Sequence, residues 1–267
     1  MPQDTSGVFP VSGVHSDLLE LGRSLGSTDG VFAMLGEGNV SARVDESTMA
    51  VKASGSSLAD LQPHDVVDVH LAAVLDLIRD APQADDVEVK RVLAASLVDS
   101  DARHPSVETL LHAVALNDGG AAFVAHTHPI SVNAILCSNR ANALVDGALF
   151  PDQIVVMGRR QLLIPYTDPG LDLSRRVADE LKKFIELYGE CPKVIYLQNH
   201  GLFVLGGTSA EVLQITRMVN KVAAILGAAL AIGEPSFLTE VEADRIHNRP
   251  DELHRRNVLA IAASAER

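Results

Sequence analysis

Apolar residues recur every three or four positions in many parts of the chain, which is the period of a helix with one buried face. In the first such segment, Leu18, Leu21 and Leu25 predict an amphipathic helix over residues 15–25. Similar patterns predict further helices over residues 71–78, 87–98, 107–117, 130–137, 171–188 and 210–232. Helices are therefore expected along most of the chain.

Shorter apolar runs separate these segments and end at Gly, Pro, Ser or Asn, as strands do. They predict strands within residues 31–44, at 49–52, at 66–69, in the run that ends at 128, at 150–157, at 161–164, at 193–197 and at 202–205. Strands that alternate with helices indicate an α/β fold, and 267 residues are enough for one complete core. We interpret the chain as a main domain over residues 14–232 with a flexible arm at 1–13. A charged, helical extension at 233–267 is expected to pack on the same domain or on a neighbouring subunit.

Two histidines one residue apart end the apolar run near the middle of the chain. Because side chains two positions apart on a strand project to the same face, His126 and His128 can present their rings to one ion. Glu108 lies in the first turn of the helix predicted directly before that strand and can bring a carboxylate to the same place. His200, in a short connection between two later strands, is the best candidate for a third firm ligand.

Each of these residues also has an ordinary structural interpretation. A lone histidine at a strand end is commonly a hydrogen-bonded structural residue, and an acidic residue in a first helical turn is favoured by the helix dipole. His112 shares the helix face of Glu108, but a structural or supporting role is favoured for it because the strand pair offers better ligands. Only the combination of three histidines and a carboxylate favours a divalent ion, zinc or a similar metal such as Mn2+ or Co2+.

Two segments rich in Gly, Ser and Asn contain groups that can bind an anion. Asn39 follows a Gly-Glu-Gly string, and Ser54 and Gly55 follow a strand that ends in Lys52. Glycine lets the backbone approach a ligand closely, side-chain and backbone donors hold oxygen atoms, and lysine adds a full charge. Ser106, the predicted N-cap of the central helix, adds a hydroxyl. The alternative interpretation of both segments is a pair of ordinary hairpin turns.

Five separated motifs occur in an order that resembles the class II aldolase and adducin family. They are GEGNVS at 36–41, KASG at 52–55, PSVE at 105–108, HTHP at 126–129 and NHG at 199–201. The resemblance covers about residues 15–230, and chance rarely produces so many motifs in the right order. It implies a three-layer α/β/α fold with a central, mostly antiparallel sheet, and a catalytic domain that occupies the whole of residues 14–232.

The resemblance also implies roles for individual residues. It makes His126, His128 and His200 the metal ligands and Glu108 the general acid and base. The segments that match the first two motifs bind phosphate in the family's sugar phosphate aldolases and epimerases. One departure is Val107, where those enzymes commonly carry a second serine, so the anion pocket loses a hydroxyl. The family forms fourfold rings with active sites at subunit interfaces, which implies a homotetramer.

The ligand set and the resemblance together predict a carbon–carbon lyase. A divalent ion with an open position polarises a hydroxyketone and stabilises the enediolate that forms when the bond breaks, while Glu108 transfers the proton. The expected reaction is retro-aldol cleavage of a small hydroxyketone or ketose phosphate. A β-keto acid decarboxylase forms the same enediolate and is the close alternative. An epimerase is disfavoured because the family's epimerases usually carry Asp where this chain has Glu108. An adducin-like scaffold module is disfavoured because the chain retains all three histidines and Glu108.

Composition narrows the possible partners. The formal net charge of -13 disfavours nucleic acid and anionic membrane surfaces, which require clustered basic residues. An anionic small molecule would need local positive charge against this background. The first residues lack the basic and apolar regions of a secretory signal, and the apolar run at 222–232 is too short to span a bilayer. Two cysteines are too few for a disulfide framework, so the prediction is a cytoplasmic protein with no membrane partner.

Overall fold

The computed structural model describes residues 13–27, 30–81 and 84–251. Its α-helices are α1 (Gly13–Gly26), α2 (Leu71–Asp80), α3 (Asp86–Ala95), α4 (Thr109–Asn117), α5 (Ile130–Leu136), α6 (Pro151–Met157), α7 (Leu171–Tyr188), α8 (Ser209–Ile232) and α9 (Glu240–Asn248). Its strands are β1 (Asn39–Arg43), β2 (Thr48–Lys52), β3 (Val66–His70), β4 (Phe123–Thr127), β5 (Leu162–Ile164), β6 (Val194–Leu197) and β7 (Gly201–Gly206). The predicted arm at residues 1–13 lies outside the described residues except for Gly13.

The strands form one sheet in the order β3-β2-β1-β4-β7-β6-β5. Neighbouring strands are antiparallel except for β5 and β6, which are parallel. One face of the sheet packs against apolar side chains of α1, α5 and α8, and the other against those of α2, α4 and α7. The expected three-layer α/β/α fold with a mostly antiparallel sheet is therefore confirmed.

The central strand β4 sets the direction of the residues that follow. Phe123 and Ala125 pack in the core on the side of α1 and α8, whereas Val124 packs on the side of α4 and α7. Because both faces are buried, the strand appears in the sequence as a continuous apolar run. The alternation turns His126 toward α4, where its ring stacks on Phe203 of β7 with centroids 4.4 Å apart.

Two predicted elements are corrected by the structure. Residues 150–157, expected as a strand, form the helix α6, with Pro151 at its first position and Asp152 in its first turn. A short apolar run fits a buried helix as well as a strand, and a proline at the first helical position favours the helix. The central helix begins at Thr109, and its N-cap is Glu108 rather than Ser106. The Ser106 hydroxyl accepts a hydrogen bond from the Asn39 side chain instead.

Helix α8 is long and apolar enough to cross a membrane by length and composition alone. Its residues Val212, Ile215 and Val219 pack in the core. Core helices of soluble proteins pass the same test, so this is weak evidence for a membrane span. Ile225 and Ile232 remain 41% and 90% exposed.

The part of the C-terminal extension that the structure describes packs on the same chain. Ala243 and Ile246 of α9 join a small core with Ile154 of α6. Arg159, just after α6, contacts both Glu240 and Asp244 of α9. Residues 252–267 lie outside the described residues.

Candidate metal centre and anion pocket

Four side chains meet at the end of the central strand. His126 lies in β4, His128 just beyond it, His200 in the turn between β6 and β7, and Glu108 at the N-cap of α4. One ligand atom from each lies within 4.8 Å of the others. The Nε2 atom of His126 is 3.0 Å from Nε2 of His128 and 3.2 Å from Oε1 of Glu108. Nε2 of His200 is 3.8 Å from the same Oε1, so the four residues singled out from the sequence share one site.

A tight connection brings His200 to this site. Asn199 adopts a left-handed conformation with φ 55°, and the His200 amide donates to the Leu197 carbonyl. Gly201 then starts β7 directly beside β4. A Cβ atom on Gly201 would lie 2.5 Å from Cδ2 of His128, so only glycine allows the ring to approach the strand this closely.

The hydrogen bond made by His126 fixes where its lone pair points. Its Nδ1–H donates to the Leu202 carbonyl at 3.0 Å, which leaves Nε2 unprotonated in the neutral ring. That nitrogen therefore directs an electron pair at a second imidazole nitrogen and at a carboxylate oxygen. Either a shared proton or a cation among these atoms relieves the repulsion, and nitrogen and carboxylate donors are those that zinc-like ions prefer. The residues present thus fit a divalent ion.

The local electrostatics favour the protonation states that metal binding requires. Burial opposes ionisation of Glu108, but the neighbouring imidazoles of His126 and His200 outweigh it and hold its pKa well below its usual range. Burial, with the adjacent rings, also lowers the pKa of His128. Carboxylates must be ionised and imidazoles neutral to bind a metal, so the directions of the Glu108 and His128 shifts both suit one.

Several residues support the cluster from behind. His112 is fully buried, its Nδ1 lies 2.6 Å from the Ser41 hydroxyl, and burial lowers its pKa to about 3. Its ring lies 5.0 Å from that of Phe203, which stacks on His126. Asn133 of α5, which the sequence did not single out, donates from Nδ2 to the His200 carbonyl at 3.1 Å. Its only sequence signal is its place four residues after the HTHP motif.

Three of the predicted anion-binding residues, Ser54, Gly55 and Ser106, lie on two adjacent loops, whereas Asn39 begins β1 and Lys52 ends β2. Asn39 donates from Nδ2 to the Ser106 hydroxyl at 2.8 Å. The Ser54 amide donates to the His104 carbonyl at 2.9 Å, which ties the loop after β2 to the loop before α4. Gly55 has φ 77°, and no described residue lies within 4 Å of where its Cβ would be, so its backbone faces open space. We call these two loops, residues 53–57 and 103–106, the anion loops.

Lys52 lies beneath the anion loops rather than at their surface. The residue is 2% exposed, and its ammonium donates to the Ser56 carbonyl at 2.7 Å. Burial lowers its pKa, although Glu108 and Asp65 oppose the shift. The charge of Lys52 therefore acts on the loop itself and, over a longer distance, on Glu108.

Comparison with known proteins shows which family the chain matches. The family model of the class II aldolase and adducin N-terminal domain matches residues 16–226. A Bacillus subtilis protein named uncharacterized oxidoreductase YuxG is 29% identical over 189 residues, which are 68% of this chain and 25% of that relative. The chain thus spans only a quarter of that relative's length. A 3-oxo-tetronate 4-phosphate decarboxylase of Haemophilus influenzae is 27% identical over 236 residues, 87% of this chain and 95% of the relative.

Solved structures share the fold. An L-fuculose 1-phosphate aldolase superposes with a TM-score of 0.66 at 20% identity and covers 90% of this chain and 98% of its own. The N-terminal class II aldolase domain of a conserved protein from Thermoplasma acidophilum has a TM-score of 0.62 at 22% identity, with coverage of 86% and 100%. At these identities the likeness establishes the architecture and leaves the substrate open.

Proposed function

The chain belongs to the class II aldolase and adducin family, and we propose that it is a divalent-metal-dependent lyase that cleaves a carbon–carbon bond of a small hydroxyketone or ketose phosphate. The observation that carries the proposal is the partly buried cluster of three histidine Nε2 atoms and the Glu108 carboxylate. A scaffold module has no use for electron pairs crowded in this way, whereas a catalytic ion requires them.

The residues of the site would have two separate roles in such a reaction, metal binding and proton transfer. His126, His128 and His200 would hold the ion, zinc or a similar divalent metal. When bound, such an ion polarises the oxygen atoms of a hydroxyketone and stabilises negative charge on them. Glu108, whose side chain is 25% exposed, remains accessible to a substrate. Its carboxylate accepts the proton from the substrate and returns it to carbon, as a general base and acid.

Decarboxylation of a β-keto acid is the second candidate reaction. The Haemophilus influenzae relative named as a decarboxylase matches this chain over most of both lengths, which supports this alternative. Loss of carbon dioxide and loss of an aldehyde both leave negative charge on the same oxygen atoms, so the same residues would serve either reaction.

We extend the proposal to a homotetramer in the cytoplasm that acts on an anionic small molecule. The apolar residues Ile225 and Ile232 on the exposed face of α8 suit burial between subunits. Light scattering at working concentration would detect a monomer, which would contradict this part of the proposal.

A substrate screen tests the reaction. Metal-loaded protein would be supplied with ketose phosphates, unphosphorylated hydroxyketones and β-keto acids, and aldehyde and carbon dioxide would be measured separately. Aldehyde from a ketose phosphate, absent with His126→Ala, is the expected result. Carbon dioxide alone would assign the decarboxylase, and no product from any class with the metal fully bound would refute both candidates.

A further inference from the structure

Arg103 joins the two anion loops through a buried carboxylate. Its Nη1 donates to the Ser56 hydroxyl at 2.9 Å and contacts the carboxylate of Asp65, and its Nη2 donates to the Ser54 carbonyl at 3.3 Å. Asp65 is only 5% exposed and also accepts from the Ser56 hydroxyl at 2.7 Å. Arg103 is thus fixed in one orientation beside Ser54.

Arg103 also supplies accessible charge where Lys52 cannot. The side chain of Arg103 is 43% exposed, whereas Lys52 is almost fully buried and bonded to a loop carbonyl. A guanidinium carries five N–H donors, and its contacts within the described part of the chain use three, so Nε–H and one Nη2–H stay available. Lys52, Arg103 and Asp65 together carry one net positive charge at the anion loops, and Lys52 also interacts with Glu108 of the metal site.

We propose that Arg103 is a specificity-determining residue that binds the anionic end of the substrate, a phosphate or carboxylate group, and that Asp65 positions it. The proposal rests on the proposed function for the substrate class. An arginine held by a carboxylate loses little further freedom when it binds an anion, and its planar fork matches two oxygen atoms at once.

The ionisation of Asp65 supports this arrangement. Burial opposes its negative charge, but hydrogen bonds from the Ser56 hydroxyl and the Gln62 amide outweigh burial, so its pKa lies below the usual range. The Asp65 carboxylate therefore stays ionised at neutral pH and holds the guanidinium in place.

Binding of simple anions tests the proposal without catalysis. Glycerol 3-phosphate, glycerate and uncharged glycerol would be titrated by calorimetry into metal-loaded wild-type, Arg103→Met and Arg79→Met proteins. Arg79 is the matched control, because its side chain is 50% exposed and lies 2.7 Å from a carboxylate oxygen of Asp118. Neither residue belongs to the anion loops. We expect Arg103→Met to weaken one of the two anions by about 10- to 100-fold with metal content unchanged, and Arg79→Met to weaken neither. The anion that is affected identifies the group as phosphate or carboxylate.

Three outcomes would overturn the role of Arg103. They are wild-type protein that binds neither anion at millimolar concentration, Arg103→Met that binds them as tightly as wild type, and loss of metal together with loss of the anion. If Arg103→Met does not fold, Arg103→Lys decides, because it keeps the charge and loses the fork: weaker binding supports the proposal and wild-type binding overturns it. Anion binding requires no turnover, so failure of the lyase assay would refute the proposed function alone.

Discussion

Replacing Gly201 with alanine tests how closely the turn that carries His200 packs against His126 and His128. The added Cβ would lie 2.5 Å from Cδ2 of His128, 2.7 Å from the Thr127 carbonyl oxygen and 3.2 Å from Cε1 of His126. Ordinary carbon contacts are about 3.5–4.0 Å, so the His128 ring must move by roughly 1 Å. We expect Gly201→Ala to cost about 1–3 kcal/mol of folding stability, as overpacked cores do. Metal affinity should fall by about 10- to 100-fold because a ligand is displaced.

Chelator competition would measure the metal affinity, and thermal unfolding of the metal-free protein would measure stability. Gly227→Ala in α8 is the matched control, because no described residue lies within 4 Å of its added Cβ. That change should leave metal affinity unchanged and stabilise the protein by about 0.5–1 kcal/mol through helix propensity. Wild-type metal affinity in Gly201→Ala would refute this prediction, because the rings of His126 and His128 could then not lie as close to Gly201 as in the structure.

Three further changes probe the acid/base, the anion loops and the first helix. Glu108→Gln should lower turnover by about two to four powers of ten while the metal stays bound, and metal loss in parallel would make Glu108 a ligand. Lys52→Ala removes the ammonium from the Ser56 carbonyl and should raise KM for the anionic substrate far more than it alters metal content; an unchanged KM would contradict its role. The hydrogen bond of His15 to Asp68, 2.8 Å long, raises the pKa of His15, so the pair stabilises the fold below about pH 6.5 and this contribution is lost as pH rises through the raised pKa. His15→Gln should therefore destabilise the protein by about 0.5–1 kcal/mol in denaturant titrations at acidic pH, and by less above neutral pH. An equal loss of stability at the two pH values would refute the role of the His15–Asp68 pair.

The parts of the site that depend on local geometry could be predicted from the sequence. His126 and His128 share a face because a strand has a period of two, and the buried central strand is visible as an apolar run. The approach of His200 depends on the pairing of β4 with β7, which no local pattern specifies. The sequence made His200 a candidate through its place between two strands, and the family resemblance made it a ligand.

The residues that the sequence did not reveal act through distant partners. Arg103 meets Asp65, which is 38 positions away, and neither residue lies in a periodic pattern that would connect them. Burial of Lys52 likewise follows from the loop that folds over it. The helix α6 was missed because the whole helix is only seven residues long, too short to distinguish a helical period from a buried strand.

The number of divalent ions bound per chain tests the metal site most directly. Metal analysis would be made on wild-type, His126→Ala and His64→Ala proteins after dialysis against zinc, with His64 as a control because its side chain is 72% exposed. We predict about one ion per chain in wild type and His64→Ala, and almost none in His126→Ala. Wild-type protein without bound metal, or full occupancy in His126→Ala, would contradict the assignment of the site and the lyase function that depends on it.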